Sequence, residues 1–90
     1  MNGYFLQSNN FKAEFYPHRL MYWSEIGGEP QIAQAGMDGS GRKILISQSL
    51  GQPTSVTLDQ LSQRIFWSDY KFHCIGSANL DGTGVHVSIL

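Results

Sequence analysis

Cysteine is almost missing from this chain: Cys74 is the only one in 90 residues. No intrachain disulfide framework can therefore prop up a small core. Charge is sparse and balanced, with six basic against seven acidic residues. That balance leaves no basic patch of the kind that nucleic acid or an anionic membrane requires, so nucleic acid is not an expected partner. No apolar run approaches the roughly 20 residues that span a bilayer, and no membrane insertion is expected of this chain. The opening residues Met1 to Ser8 have neither the basic nor the apolar region of a secretory leader, and no signal peptide is read from them. A chain this short buries only about 60 to 65% of its unfolded surface, so its architecture must be compact or must borrow a partner.

What the chain does contain is a repeat. Tyr22-Trp23-Ser24-Glu25 is answered 44 residues later by Phe66-Trp67-Ser68-Asp69. Ile32 and Ile75, Ala35 and Ala78, and the stretches from Met37 to Gly41 and Leu80 to Gly84 agree at an offset of 43. Tryptophan is rare, so two tryptophans and two Asp-Gly pairs in the same order and spacing mark two copies of one unit.

Inside each unit the apolar residues alternate or form short runs, and no 3.6-residue stripe persists, which predicts strands. The second unit is read as strands at 55–59, 63–69, 74–80 and 85–89. The first supplies the matching last three at 19–25, 31–37 and 43–47. The weakly alternating 11–16 is the candidate for the fourth, and 1–10 reads as a polar lead. Asp38-Gly39 and Asp81-Gly82 fall where tight hairpins need positive φ. Asp59 opens a similar polar connection after Val56-Thr57-Leu58. Four antiparallel strands in about 43 residues is the size of one propeller blade.

These residues resemble the low-density-lipoprotein-receptor class B repeat, the YWTD repeat, whose six blades close into a β-propeller. The resemblance is carried by 21–25, by Pro30-Gln31-Ile32-Ala33-Gln34-Ala35, by 37–43, by 53–59, by Arg64-Ile65-Phe66-Trp67-Ser68-Asp69 and by 78–82, and it spans about 17–90. It implies an all-β chain of two four-stranded antiparallel blades, an incomplete ring. The organisation expected is a divergent segment at 1–16, an outer or inner edge strand at most, followed by repeat 1 at 17–50 and repeat 2 at 51–90. Tyr22, Trp23, Ser24, Glu25, Asp38, Gly39, Asp59, Phe66, Trp67, Ser68, Asp69, Asp81 and Gly82 are the structural signature. The chain departs from the pattern at Tyr16-Pro17, at Arg19-Leu20, where a glycine is missing, at Glu25, which replaces an aspartate, and at Gln52 and Thr54-Ser55.

The physics of the signature is legible without the name. A middle strand sandwiched between blades needs bulk on both faces, which Tyr22 with Trp23 and Phe66 with Trp67 supply. Ala35 and Ala78 are expected to leave room for the rings, and the Ser24-Glu25 and Ser68-Asp69 pairs to satisfy backbone donors at strand ends.

Catalytic chemistry finds little support. His73 and Cys74 are neighbours on one strand and point to opposite faces, so the imidazole cannot activate the thiol. No Gly-x-Ser-x-Gly elbow is present. His18, His73 and His86 have no short ligand spacing, no metal or cofactor is expected, and Asp38-Gly39-Ser40-Gly41 reads as a turn rather than a calcium loop. Arg42 and Lys43 read as a solvated turn.

The loops joining second and third strands lie on one rim, where propellers commonly bind. Glu29, Gln52, Tyr70, Lys71 and Phe72 are the candidate ligand-binding residues. The resemblance implies a non-catalytic, extracellular or cell-surface receptor fragment that recognises a protein ligand or packs on neighbouring receptor domains, as in endocytic receptors. Two alternatives remain: a truncated product without independent activity, and a propeller hydrolase. Two blades cannot close a ring, but three copies of the chain would supply six, so a homo-oligomer completing the ring is a further expectation.

Overall fold

The computed structural model describes residues 10–15 and 19–89. Eight strands run in chain order: β1 Asn10–Phe15, β2 Leu20–Glu25, β3 Gln31–Gly36, β4 Lys43–Ile46, β5 Pro53–Asp59, β6 Arg64–Asp69, β7 Cys74–Asn79 and β8 His86–Ile89. They form two four-stranded sheets in the orders β1-β2-β3-β4 and β5-β6-β7-β8, every pairing antiparallel. The chain is thus two propeller-type blades. The weakly alternating N-terminal segment does supply the first blade's missing strand, pairing Phe11 with Ser24 and Phe15 with Leu20. Asn10, read as part of the polar lead, belongs to that strand, while Tyr16, expected to end it, and the lead 1–9 lie outside the described residues.

Strand ends are trimmed where the backbone turns left-handed. Arg19 and Gln63, expected to open β2 and β6, have φ of 52° and 58° and precede the strands instead. They are equivalent positions, and each serves as a staple. The Arg19 carbonyl accepts Met37 N–H at 2.9 Å and the Gln63 carbonyl accepts Leu80 N–H at 3.3 Å, tying the two turns at one end of each blade together. The Asp-Gly turns behave as expected. Gly39 and Gly82 sit at φ of 89° and 90°, and the carboxylates of Asp38 and Asp81 accept from the N–H and hydroxyl of Ser40 and Thr83. Those bonds to the ionised form hold both carboxyls below the usual range. Asp59 closes its turn similarly, accepting from Leu61 N–H and Ser62 Oγ.

The main core lies between the blades. Tyr22, Ile32, Ile46 and Leu50 from the first half meet Val56, Ile65, Trp67 and Ala78 from the second. Because successive residues on a strand face opposite ways, Trp23 cannot join them. It packs on the first blade's other face with Met21, Ala33 and Ala35. The small residues are only partly those expected. Ala35 and Ala78 do sit in the aromatic clusters, but Ala33 and Gly76 stand directly across the strand from Trp23 and Trp67. A Cβ on Gly76 would lie 2.2 Å from Trp67 Cε2, so the indole rests on bare backbone. The Tyr22 hydroxyl is accommodated by Gln34 Nε2–H, donating at 2.9 Å, while burial raises its pKa.

The serines do not cap strand ends as expected. Ser68 Oγ pairs with Ser55 Oγ at 3.0 Å across the strands, and Ser24 Oγ is buried with no hydrogen-bond partner among the described residues.

Two stability outcomes follow from this packing. Gly76→Ala should destabilise the chain by about 1–3 kcal/mol in urea unfolding, because Trp67 must leave its seat to admit the methyl group. Gln63→Gly should leave stability unchanged or raise it by up to about 1 kcal/mol, since the left-handed penalty it removes offsets the added chain entropy.

Candidate binding rim

Asp69, the last residue of β6, builds the rim. Its side chain is 2% exposed, yet it makes three hydrogen bonds to backbone donors. Oδ2 accepts from Gly51 N–H at 2.7 Å, and Oδ1 accepts from Gln52 N–H at 3.0 Å and Phe72 N–H at 2.9 Å. One carboxylate thereby fastens the crossover between blades to the loop between β6 and β7. A fourth bond, from Tyr70 N–H to the Gln52 carbonyl at 2.9 Å, completes the tie. Burial alone would raise the carboxyl's pKa, but donors from Gln52, Gly51, Phe72 and Lys71 outweigh it and leave the pKa lowered.

This anchor brings four of the five candidate residues together. Gln52, Tyr70, Lys71 and Phe72 share the Asp69 network, with Tyr70 at 70% and Phe72 at 46% exposure. Lys71 Nζ stands 5.9 Å from the Phe72 ring centroid, and Tyr70 packs at a tilt against His73, 6.2 Å between centroids. His73 adopts φ of 52° in the turn before β7, so it belongs to the loop and is not the strand neighbour of Cys74 expected from the sequence. Glu29 is not brought in. It lies exposed on the glycine-containing loop of the first blade, and among the described residues no hydrogen bond or ion pair joins it to the other four.

The equivalent of Asp69 in the first blade is Glu25, and it works differently. Its carboxylate accepts Trp23 Nε1–H at 2.7 Å and pairs with Arg42 at 2.9 Å, while the Arg42 guanidinium lies 6.0 Å from the Trp23 ring centroid. Arg42 is therefore not a free solvated turn residue but part of a Trp23-Glu25-Arg42 cluster. The extra methylene lets the acid reach back over its own blade face. Lys43 is exposed as expected, and its charge contributes to lowering the Asp81 pKa.

Cys74 follows Asp69's loop and is 1% exposed; burial, with the Asp69 charge beside it, pushes its thiol pKa up. A raised, buried thiol is a poor nucleophile. Among the described residues no group of three or more His, Cys, Asp or Glu side chains converges to hold a metal ion, and no helix is long and apolar enough to cross a membrane. The organising role of Asp69 was open to sequence reasoning, since an acid at a strand end facing a short loop is a common acceptor of loop N–H groups. The role of Arg42 was not, because it acts across 17 residues.

Asp69→Ala should cost about 3 kcal/mol by orphaning the loop donors. The pH dependence has a definite sign. A carboxyl with a lowered folded pKa contributes stability that is fully present above its unfolded value of about 3.9 and is lost as pH falls through the folded one. Thermal unfolding of Asp69→Asn should accordingly lose part of the wild-type decline below about pH 4.

The family model "Low-density lipoprotein receptor repeat class B" matches residues 19–60. The matched stretch runs from the start of β2 past the end of β5, so the sequence repeat is one strand out of phase with the sheet. The vitellogenin receptor of Solenopsis invicta is 48% identical over 63 residues, covering 70% of this chain and 4% of that receptor. Protein cueball of Drosophila grimshawi is 39% identical over 75 residues, covering 79% of this chain and 12% of that protein. The chain thus spans a small part of these relatives' length. Among solved structures, the crystal structure of a nidogen/laminin complex matches with a TM-score of 0.72 and 37% identity over 78% of this chain and 26% of that one. With repeat spacing, blade topology and these likenesses in agreement, the chain belongs to the low-density lipoprotein receptor class B, or YWTD, repeat family and forms two blades of its β-propeller.

Proposed function

We propose that the chain is a non-catalytic protein-binding module, part of a lipoprotein-receptor-like extracellular β-propeller, which recognises a protein ligand or a neighbouring receptor domain through its aromatic rim. The observation that carries this reading is the pair Tyr70 and Phe72, exposed on a loop that one buried carboxylate immobilises. Exposed aromatics on a rigid support bind with little entropy loss, which is why such residues dominate protein interfaces. Lys71 and Gln52 supply hydrogen-bonding groups around them, and Glu29 stands on the companion loop. One solved relative is a nidogen/laminin complex, which supports a protein as the class of ligand. The repeats divide at 17–50 and 51–90, after an N-terminal segment 1–16 that contributes β1.

A second reading, a truncated product without activity of its own, draws on the partly open face of the second blade, where Ile75 is 37% exposed. A propeller hydrolase would need convergent carboxylates, whereas Asp38, Asp59 and Asp81 are engaged in turns, Asp69 in the rim anchor and Glu25 with Trp23 and Arg42.

The double substitution Tyr70→Ala with Phe72→Ala separates these readings. Surface plasmon resonance against extracellular proteins should give a partner whose affinity falls about 100-fold in the variant, with unchanged circular dichroism. Equal binding by both chains would remove the rim from the function, and a chain that folds and binds no protein would favour the inactive product.

A further inference from the structure

Of the four candidate residues gathered by the Asp69 network, only Lys71 is charged, and no acid holds it. Asp69, two positions away, accepts from backbone N–H groups, and among the described residues no ion pair joins Lys71 to Glu29 or to another carboxylate. An exposed lysine without a partner ordinarily samples many rotamers. Here the ammonium stands 5.9 Å from the Phe72 ring centroid. At an exposed site such a contact is worth less than the rotamer entropy of a lysine, so the ring alone does not fix the side chain.

What confines it lies on the crossover between the blades. A Cβ built on Gly51 would stand 2.9 Å from Lys71 Cβ and 3.1 Å from its Cδ, so the lysine stem runs across bare backbone. The same Cβ would stand 3.0 Å from Asp69 Oδ1, while Gly51 N–H donates to Oδ2 of that carboxylate at 2.7 Å. Gly51 does not adopt a left-handed φ. Glycine is required here by the approach of its neighbours and not by the backbone conformation.

We propose that Gly51 is a positioning residue of the rim: its bare backbone seats the Lys71 stem and thereby sets the ammonium beside the Phe72 ring. The inference rests on the reading of this rim as the binding surface, and adds that the rim's positive charge has a fixed place dictated from the crossover. A cation already held in position has less freedom to lose when a partner docks.

Nuclear magnetic resonance on the full chain tests the seat. The Lys71 methylene protons next to the ammonium should carry a ring-current shift, measured against Phe72→Leu, which removes the ring. Gly51→Ala should lose more than half of that shift while keeping the circular dichroism spectrum. A double-mutant cycle identifies the cause, because Lys71→Gly removes the facing Cβ. Gly51→Ala should lower the thermal midpoint less than half as much in the Lys71→Gly background as in the wild type. Should Gly51→Ala alone fail to fold, folding of the double variant supports the seat. An unchanged Lys71 shift, an equal thermal loss in both backgrounds, or an unfolded double variant would overturn it. These readouts use the free chain, so a failed search for a protein partner bears on the rim as a binding surface and not on the seat.

Discussion

The fold depends on one contact, the seat of Trp67 between bare backbone and the first blade. Gly76 lets the indole lie flat on β7, and the ring's outer surface then completes the core with Tyr22 and Ile32. Neither sheet could bury enough apolar area alone, since a single four-stranded meander of this size has one face too many. Pressed together they share one core, and the turn at Gly82 comes against the Leu45 carbonyl of the neighbouring blade. The indole seated on Gly76 within the second blade and the approach of Gly82 to the Leu45 carbonyl between blades thus fix how one blade lies on the next.

Asp69 and Glu25 show how a repeat diverges without losing its frame. Both sit at the end of a blade's second strand, with a serine before them and a tryptophan two positions back. The shorter acid stays at the strand end and gathers loop N–H groups; the longer one reaches back to Trp23 and recruits Arg42. One methylene separates a residue that organises a loop from one that holds the indole of its own blade. The companion loop of the first blade, from Ile26 to Pro30, carries two glycines where the second has Tyr70-Lys71-Phe72-His73.

Much of this was legible in the sequence because the repeat compares the chain with itself. Strand number, the Asp-Gly turns and the opposite orientations of Tyr22 and Trp23 all follow from period and spacing, and the rim candidates Gln52, Tyr70, Lys71 and Phe72 do converge. What escaped was set by three-dimensional neighbours. The need for glycine at Gly76 is a property of the ring opposite it, the role of Arg42 depends on a partner on another strand, and the isolation of Glu29 depends on what its loop fails to touch. Arg19 and Gln63 read as strand residues because side-chain pattern does not report φ.

The burial of Cys74 bears on the chemistry of the environment in which such modules work. A lone thiol in an oxidising compartment is a hazard, since it can cross-link to any exposed disulfide it meets. Here the residue is buried, and burial with the Asp69 charge raises the pKa of its thiol. Protection is conferred by the fold rather than by the residue: the thiol is inert for as long as the rim end of the second blade stays shut, and each opening of that end exposes it to attack. Redox durability and the closure of this rim are therefore the same property of this chain.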